Sequence, residues 1–140
     1  MKKLLGIVAV LGIVSFAIFR FLYFNDVRVL EEFDFSEGEW KLQKGYYRDS
    51  IQYIITDNIE LQSLKDVWVL SSTDRNFATT GGYEVSLYSD GKVVLMMDLI
   101  LDCKADLHET GILAYDKGTL AYRNLNWLEE GGWRRVIVSN

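Results

Sequence analysis

The residues with the most reactive chemistry sit close together: Asp98, Asp102, Cys103, Asp106, His108 and Glu109. Thiolate, imidazole and carboxylate are ligand types that zinc accepts, and Cys103 with His108 has a Cys-x4-His spacing. A structural zinc site needs a second pair, yet the chain holds one cysteine and one histidine. The two also fail as nucleophile and base, since such dyads are assembled from distant segments and these share one short stretch. A serine nucleophile would have only His108 as its base, and no Gly-x-Ser-x-Gly occurs. Glu129 and Glu130 are a further carboxylate pair. Adjacent side chains diverge on a strand or turn, whereas glycoside hydrolysis needs carboxyls about 5–9 Å apart across a cleft. Gly81-Gly82 stands between a polar loop and a strand and reads as a turn rather than a phosphate cradle. The cluster around Cys103 therefore reads as a solvated loop with an incidental histidine. No metal, cofactor or catalytic residue is expected, and the chain is read as a non-enzyme.

Binding is better served by the rings. The chain carries 7 Phe, 8 Tyr and 4 Trp. Most of so many rings are expected to fill the interior of a small β domain. If one tryptophan is exposed, Trp127, set among polar residues in Asn124-Leu125-Asn126-Trp127, is the best candidate. Together with Glu129, Glu130 and Trp133 it forms the candidate binding set, aromatic anchors beside an acidic pair.

What positions these residues begins with the N-terminus. Lys2 and Lys3 precede an uncharged run from Leu4 to Phe19, and Leu4 to Phe24 contains only Arg20 as a charge. A hydrocarbon core of roughly 30 Å needs about 20 helical residues. Arg20 lies where a long stem can snorkel, and Phe19, Phe21, Tyr23 and Phe24 lie where an interfacial aromatic belt forms. A cleavable signal would end in small residues, but bulky aromatics stand at this exit and no lipoprotein cysteine follows. Residues 1–25 are expected to be an uncleaved, single-span signal-anchor in the inner (cell) membrane. Lys2 and Lys3 favour a cytoplasmic N-terminus, which puts residues 26–140 in the periplasm or outside the cell.

Residues 26–140 are long enough for one cored domain. Lys2, Lys3 and Arg20 belong to the anchor, so 12 basic residues stand against 20 acidic ones and the domain carries −8. Such a charge repels nucleic acid and anionic lipid; it suits solubility, or a basic protein partner whose association it would speed. Cys103 has no second cysteine to pair with and reads as a buried thiol, with an intermolecular or redox role as the alternative. Proline is absent, which leaves turns to Gly, Asn and Asp.

Strand signals follow. Val27 to Phe35 alternates as a strand or continues the anchor helix to about Glu32; Trp40 to Tyr47 is strand-like. A strand is expected up to Thr56, a turn at Asp57-Asn58, and irregular or short helical structure before Asp66. Val67 to Leu70 is a short apolar run. Tyr83 to Tyr88 and Lys92 to Leu101 flank Ser89-Asp90-Gly91, a strong hairpin signal, and Gly111 to Tyr115 with Thr119 to Arg123 repeats the device around Asp116-Lys117-Gly118. Trp133 to Val138 supplies a final strand after Glu129-Glu130-Gly131-Gly132. The fold expected is mainly β, a small antiparallel barrel or sandwich with α+β as the alternative, plus one N-terminal transmembrane helix.

LKDVWVLSS (64–72), YEVSLYSDGKVV (83–94) and ETGILAYDKGTLAY (109–122) are similar in layout to small lipocalin-like and META-type envelope domains, and Gly38-Glu39-Trp40 resembles the lipocalin Gly-x-Trp opening. The Gly-Cys-Asn of META domains is absent, and Asp102-Cys103-Lys104 stands roughly in its place. The resemblance implies a small envelope β-domain and assigns no functional residue. Together the features point to a membrane-anchored extracytoplasmic binding module. It would act as an inhibitor or immunity factor against a basic envelope-active protein, or as an accessory subunit of an envelope complex. The alternative is a hydrolase of envelope polymers.

Overall fold

Alternation along three neighbouring strands builds the centre of the molecule. In the computed structural model, which describes residues 2–23, 26–73, 82–100, 111–122 and 126–139, these are β2 (Trp40–Tyr46), β5 (Tyr83–Ser89) and β6 (Lys92–Ile100). Their register sets Leu42 opposite Leu87 and Leu87 opposite Leu95, with Val85 opposite Met97 in the next row. All of these point to one face and are buried, as a period of two requires. Between β5 and β6 the chain turns at Asp90 and Gly91, both with positive φ (49° and 78°), the two-residue geometry whose twist matches paired strands. The Asp90 carboxylate accepts the Glu39 N–H at 3.1 Å and ties this turn to the entry of β2.

Around that centre lie β1 (Asp26–Arg28), β3 (Ile51–Ile55), β4 (Val69–Thr73), β7 (Gly111–Tyr115), β8 (Gly118–Tyr122) and β9 (Arg134–Ile137). All nine strands form one antiparallel sheet in the order β1-β4-β8-β7-β6-β5-β2-β3-β9. The mainly β expectation holds. The sheet is open rather than closed into a barrel, with β1 and β9 at its edges.

Two short helices cover the apolar face. In α2 (Asn58–Leu64), Leu61 and Leu64 are buried. Asp57, expected in a turn, is instead the N-cap, accepting the Glu60 N–H at 2.9 Å; its polar side chain satisfies an otherwise orphaned donor. In α3 (Asn126–Glu129), which the sequence reading did not anticipate, Trp127 and Leu128 are buried. Beyond β1 the chain neither extends as a strand nor continues a helix. It turns, Glu31 N–H donating to the Arg28 carbonyl and Phe33 N–H to that of Leu30, and so buries Val29, Leu30 and Phe35.

The remaining element is α1 (Lys2–Tyr23), 22 residues long, whose side chains from 3 to 19 are all exposed. Among the described residues no helix is long and apolar enough to cross a membrane.

Gly45 in β2 is crowded by a neighbouring side chain. A Cβ there would run into the Gln52 side chain, which is buried and donates to the carbonyls of Tyr46 (3.1 Å) and Asp49 (3.0 Å). Gly45→Ala should lower stability by about 2 kcal/mol through overpacking and loss of these bonds. Paired with Gln52→Ala, the two changes should cost less than their sum, read by urea unfolding of the full chain in detergent.

Candidate functional site

The alternation that buries Leu42 directs Lys44 to the same face, into a place a lysine rarely occupies. Lys44 is 4% exposed. It sits between Val85 on β5 and Tyr53 on β3, and its ammonium reaches under α3. There it donates to the Leu128 carbonyl at 2.7 Å and to Glu129 Oε1 at 3.4 Å. The Trp133 ring covers it at 4.2 Å, while Trp133 Nε1–H donates to the Glu130 carbonyl at 2.9 Å. Burial pushes the Lys44 amine below its usual range, and the neighbouring Glu129 carboxylate partly offsets this. A depressed amine is a possible nucleophile in principle, but this one is covered and already donates to two acceptors. Its role is to hold α3, and the turn after it, against the sheet.

Three tyrosines surround the clamp. Tyr83 lies opposite Tyr46 across β2 and β5, their rings edge to face at 4.9 Å, and Tyr53 lies opposite Lys44. Tyr46 and Tyr53 are exposed, whereas Tyr83 is half-buried. Burial chiefly, with the Glu129 carboxylate and the other two phenols adding to it, pushes the Tyr83 phenol up to about 12. It therefore remains a neutral hydroxyl at all physiological pH.

Of the four expected binding residues, the structure brings Glu129 and Trp133 together around Lys44 and leaves Glu129 and Glu130 exposed. Trp127 differs. It is 7% exposed and packs edge to face on Trp68, with ring centroids 5.0 Å apart. Its polar sequence neighbours misled, because a one-turn helix turns the ring inward while exposing Asn126. Lys44, Tyr46, Tyr53 and Tyr83 were not anticipated as site residues. The signal was present: Trp40-x-Leu42-x-Lys44 places a lysine on the apolar face of an alternating strand.

On the opposite face of the sheet, Glu84 and Asp98 are directly cross-strand. Burial, with Glu84 adding to it, raises the Asp98 carboxyl above its usual value. Ser86 Oγ donates to Glu84 at 2.6 Å. Glu84 and Ser86 line a cleft of about 230 Å³ together with Gln43, Gln52, Arg48 and Asp49. Asp102, Cys103, Asp106, His108 and Glu109 lie outside the described residues, and among those described no group of three or more His, Cys, Asp or Glu is placed to hold a metal ion. Comparison of the chain with family models, curated proteins and solved structures finds no match.

Two outcomes follow from the Lys44 clamp. Lys44→Ala should destabilise by about 2–4 kcal/mol, because the Leu128 carbonyl loses its donor and Trp133 its support. Lys44→Met, which keeps the volume without the buried charge, should stay within about 1.5 kcal/mol of wild type. Tryptophan fluorescence in urea separates them. Tyr83 predicts the alkaline limb. The unfolded phenol ionises near 10.0 and the folded one only near about 12. The unfolded state thus loses its proton first, and stability contributed by Tyr83 is intact below pH 10 and falls between 10 and 12. Tyr83→Phe should flatten that fall. Lys44, whose lowered amine acts in the opposite sense, is common to both proteins and cancels.

Proposed function

We propose that the chain is a membrane-anchored, extracytoplasmic binding module that presents an acidic turn to a basic protein partner. The observation that carries this reading is α1: an apolar helix exposed along its whole described length, with Leu5 78% and Ile13 69% accessible. Contiguous exposed apolar surface of this kind needs a non-aqueous neighbour. The helical backbone runs from Lys2 to Tyr23, and the signal-anchor reading rests on the uncharged run from Leu4 to Phe19 within it. Lys2 and Lys3 at its start favour a cytoplasmic N-terminus. The domain that follows carries −8, and Lys44 fixes Glu129 beside the exposed Glu130. A partner of this module is an inhibited basic envelope protein or a neighbour in an envelope complex.

The hydrolase reading is favoured by one observation, the Glu84–Asp98 pair with its raised carboxyl. Two carboxylates in cross-strand contact resemble a shared-proton dyad. Glu84 lines the cleft whereas Asp98 does not, so the two do not face each other across it as glycosidase carboxyls do. Binding is therefore the better account.

The test uses full-length protein in native membranes and then in detergent. It should resist alkaline carbonate extraction and be released only by detergent. Association with a cationic cell-wall lysozyme should slow steeply as salt rises, since exposed charge is screened within about 8 Å at physiological salt. Glu129→Lys with Glu130→Lys should slow it further while leaving the fold intact. Release by carbonate would remove the anchor. Association indifferent to salt and to the double reversal would remove the acidic turn, and peptidoglycan turnover abolished by Asp98→Asn would install the hydrolase.

A further inference from the structure

Among the described residues β9 pairs on one side only, with β3. The Val138 N–H donates to the Ser50 carbonyl at 2.7 Å, so in the antiparallel ladder Gln52 with Val136 and Ile54 with Arg134 are the other hydrogen-bonded pairs. The N–H and C=O groups of Arg135 and Ile137 consequently point away from β3, at the open edge of the sheet. Their side chains share a face with Tyr53 and Ile51, their cross-strand neighbours. Ile137 is 76% exposed and Arg135 is exposed beside it. The opposite edge offers far less: β1 has three residues, and Arg28 is engaged with Asp66 at 2.8 Å.

A free edge with an exposed branched apolar side chain is a template for another strand. We propose that β9 receives an extended segment of a partner protein by strand addition, antiparallel to β9, with an apolar residue opposite Ile137 and a carboxylate opposite Arg135. Backbone bonds to residues 135 and 137 supply affinity, and the alternate side chains supply choice. Charge selects the occupant. A second copy of this chain, paired about Val136, would gather Arg134 and Arg135 of both copies at one seam. Basic residues on an edge oppose such self-pairing. An acidic guest strand is complementary to them. This surface is distinct from the Glu129–Glu130 turn, and the inference stands or falls separately from it.

The probe is an acetylated and amidated threonine hexapeptide with valine at its second position and glutamate at its fourth, added to full-length isotope-labelled protein in detergent micelles. Binding should shift the amide resonances of Arg135 and Ile137 and slow their hydrogen exchange. N-methylation of the peptide at its valine and glutamate nitrogens, which face β9, should abolish binding. N-methylation at the intervening threonine, which faces away, should not. Arg135→Glu should weaken binding about fivefold, and a peptide with lysine in place of glutamate should recover it. Glu129→Lys with Glu130→Lys should leave hexapeptide binding unchanged. Three results would overturn the proposal: indifference to both N-methyl groups, Arg135 and Ile137 amides already protected in the free monomer, or concentration-dependent dimers that protect the same amides.

Discussion

One buried ammonium organises the end of this domain where α3 meets the sheet. Lys44 stands on the apolar face of β2, and removing its charge from water is costly unless every donor finds a partner. The chain meets that demand with the Leu128 carbonyl, Glu129 and the Trp133 ring. Each of these groups belongs to α3 or to the segment leading into β9. The lysine thus decides where a one-turn helix, too short to be stable alone, comes to rest. In doing so it raises the Glu129–Glu130 turn to the surface and sets Trp133 at the entry of β9. Glu129 in turn reaches Tyr83, so a single carboxylate influences both an amine and a phenol.

The two faces of the sheet carry different chemistry because the register allows no mixing. Leu42, Leu87 and Leu95 occupy one row on the covered side, while Glu84 and Asp98 meet on the other. A slip of one residue would exchange the two sets. Asp90-Gly91 and the bond from Glu39 to Asp90 hold β5, β6 and the start of β2 against that slip. Gly45 adds a local lock, since only a residue without a side chain lets Gln52 lie across β2.

Much of this was legible in the chain. Asp90-Gly91 between alternating runs gave the β5–β6 hairpin, and Asp116-Lys117-Gly118 the β7–β8 hairpin, because both signals are local. Trp40 to Tyr47 and the strand ending near Thr56 were read for the same reason. α2 was half-read: Asp57 with Glu60 three residues on is a capping pattern, yet it looked like a turn. Non-local matters were harder. Whether a sheet closes depends on where its edge strands lie, and no period in β1 or β9 encodes that. Trp127 was placed outside from its polar neighbours, although burial was decided by the pocket Trp68 offers it. Glu129, Glu130 and Trp133 were chosen on composition, and the structure places Glu129 and Trp133 beside Lys44. Lys44 was overlooked because a charged residue is ordinarily assigned to solvent before its strand position is weighed.

The pairing of β3 with β9 also has a temporal side. Ile51 and Ile137 are register partners 86 positions apart, whereas β2 and β3 meet through a tight local connection. Closing so long a loop is an entropic hurdle that local hairpins do not face. As the chain emerges, β2, β3 and the β5–β6 hairpin exist well before β9 does. During that interval the outer edge of β3 is itself the rim of the sheet, and the Lys44 ammonium has not yet met α3. A chaperone present at that moment would encounter that unfinished rim first.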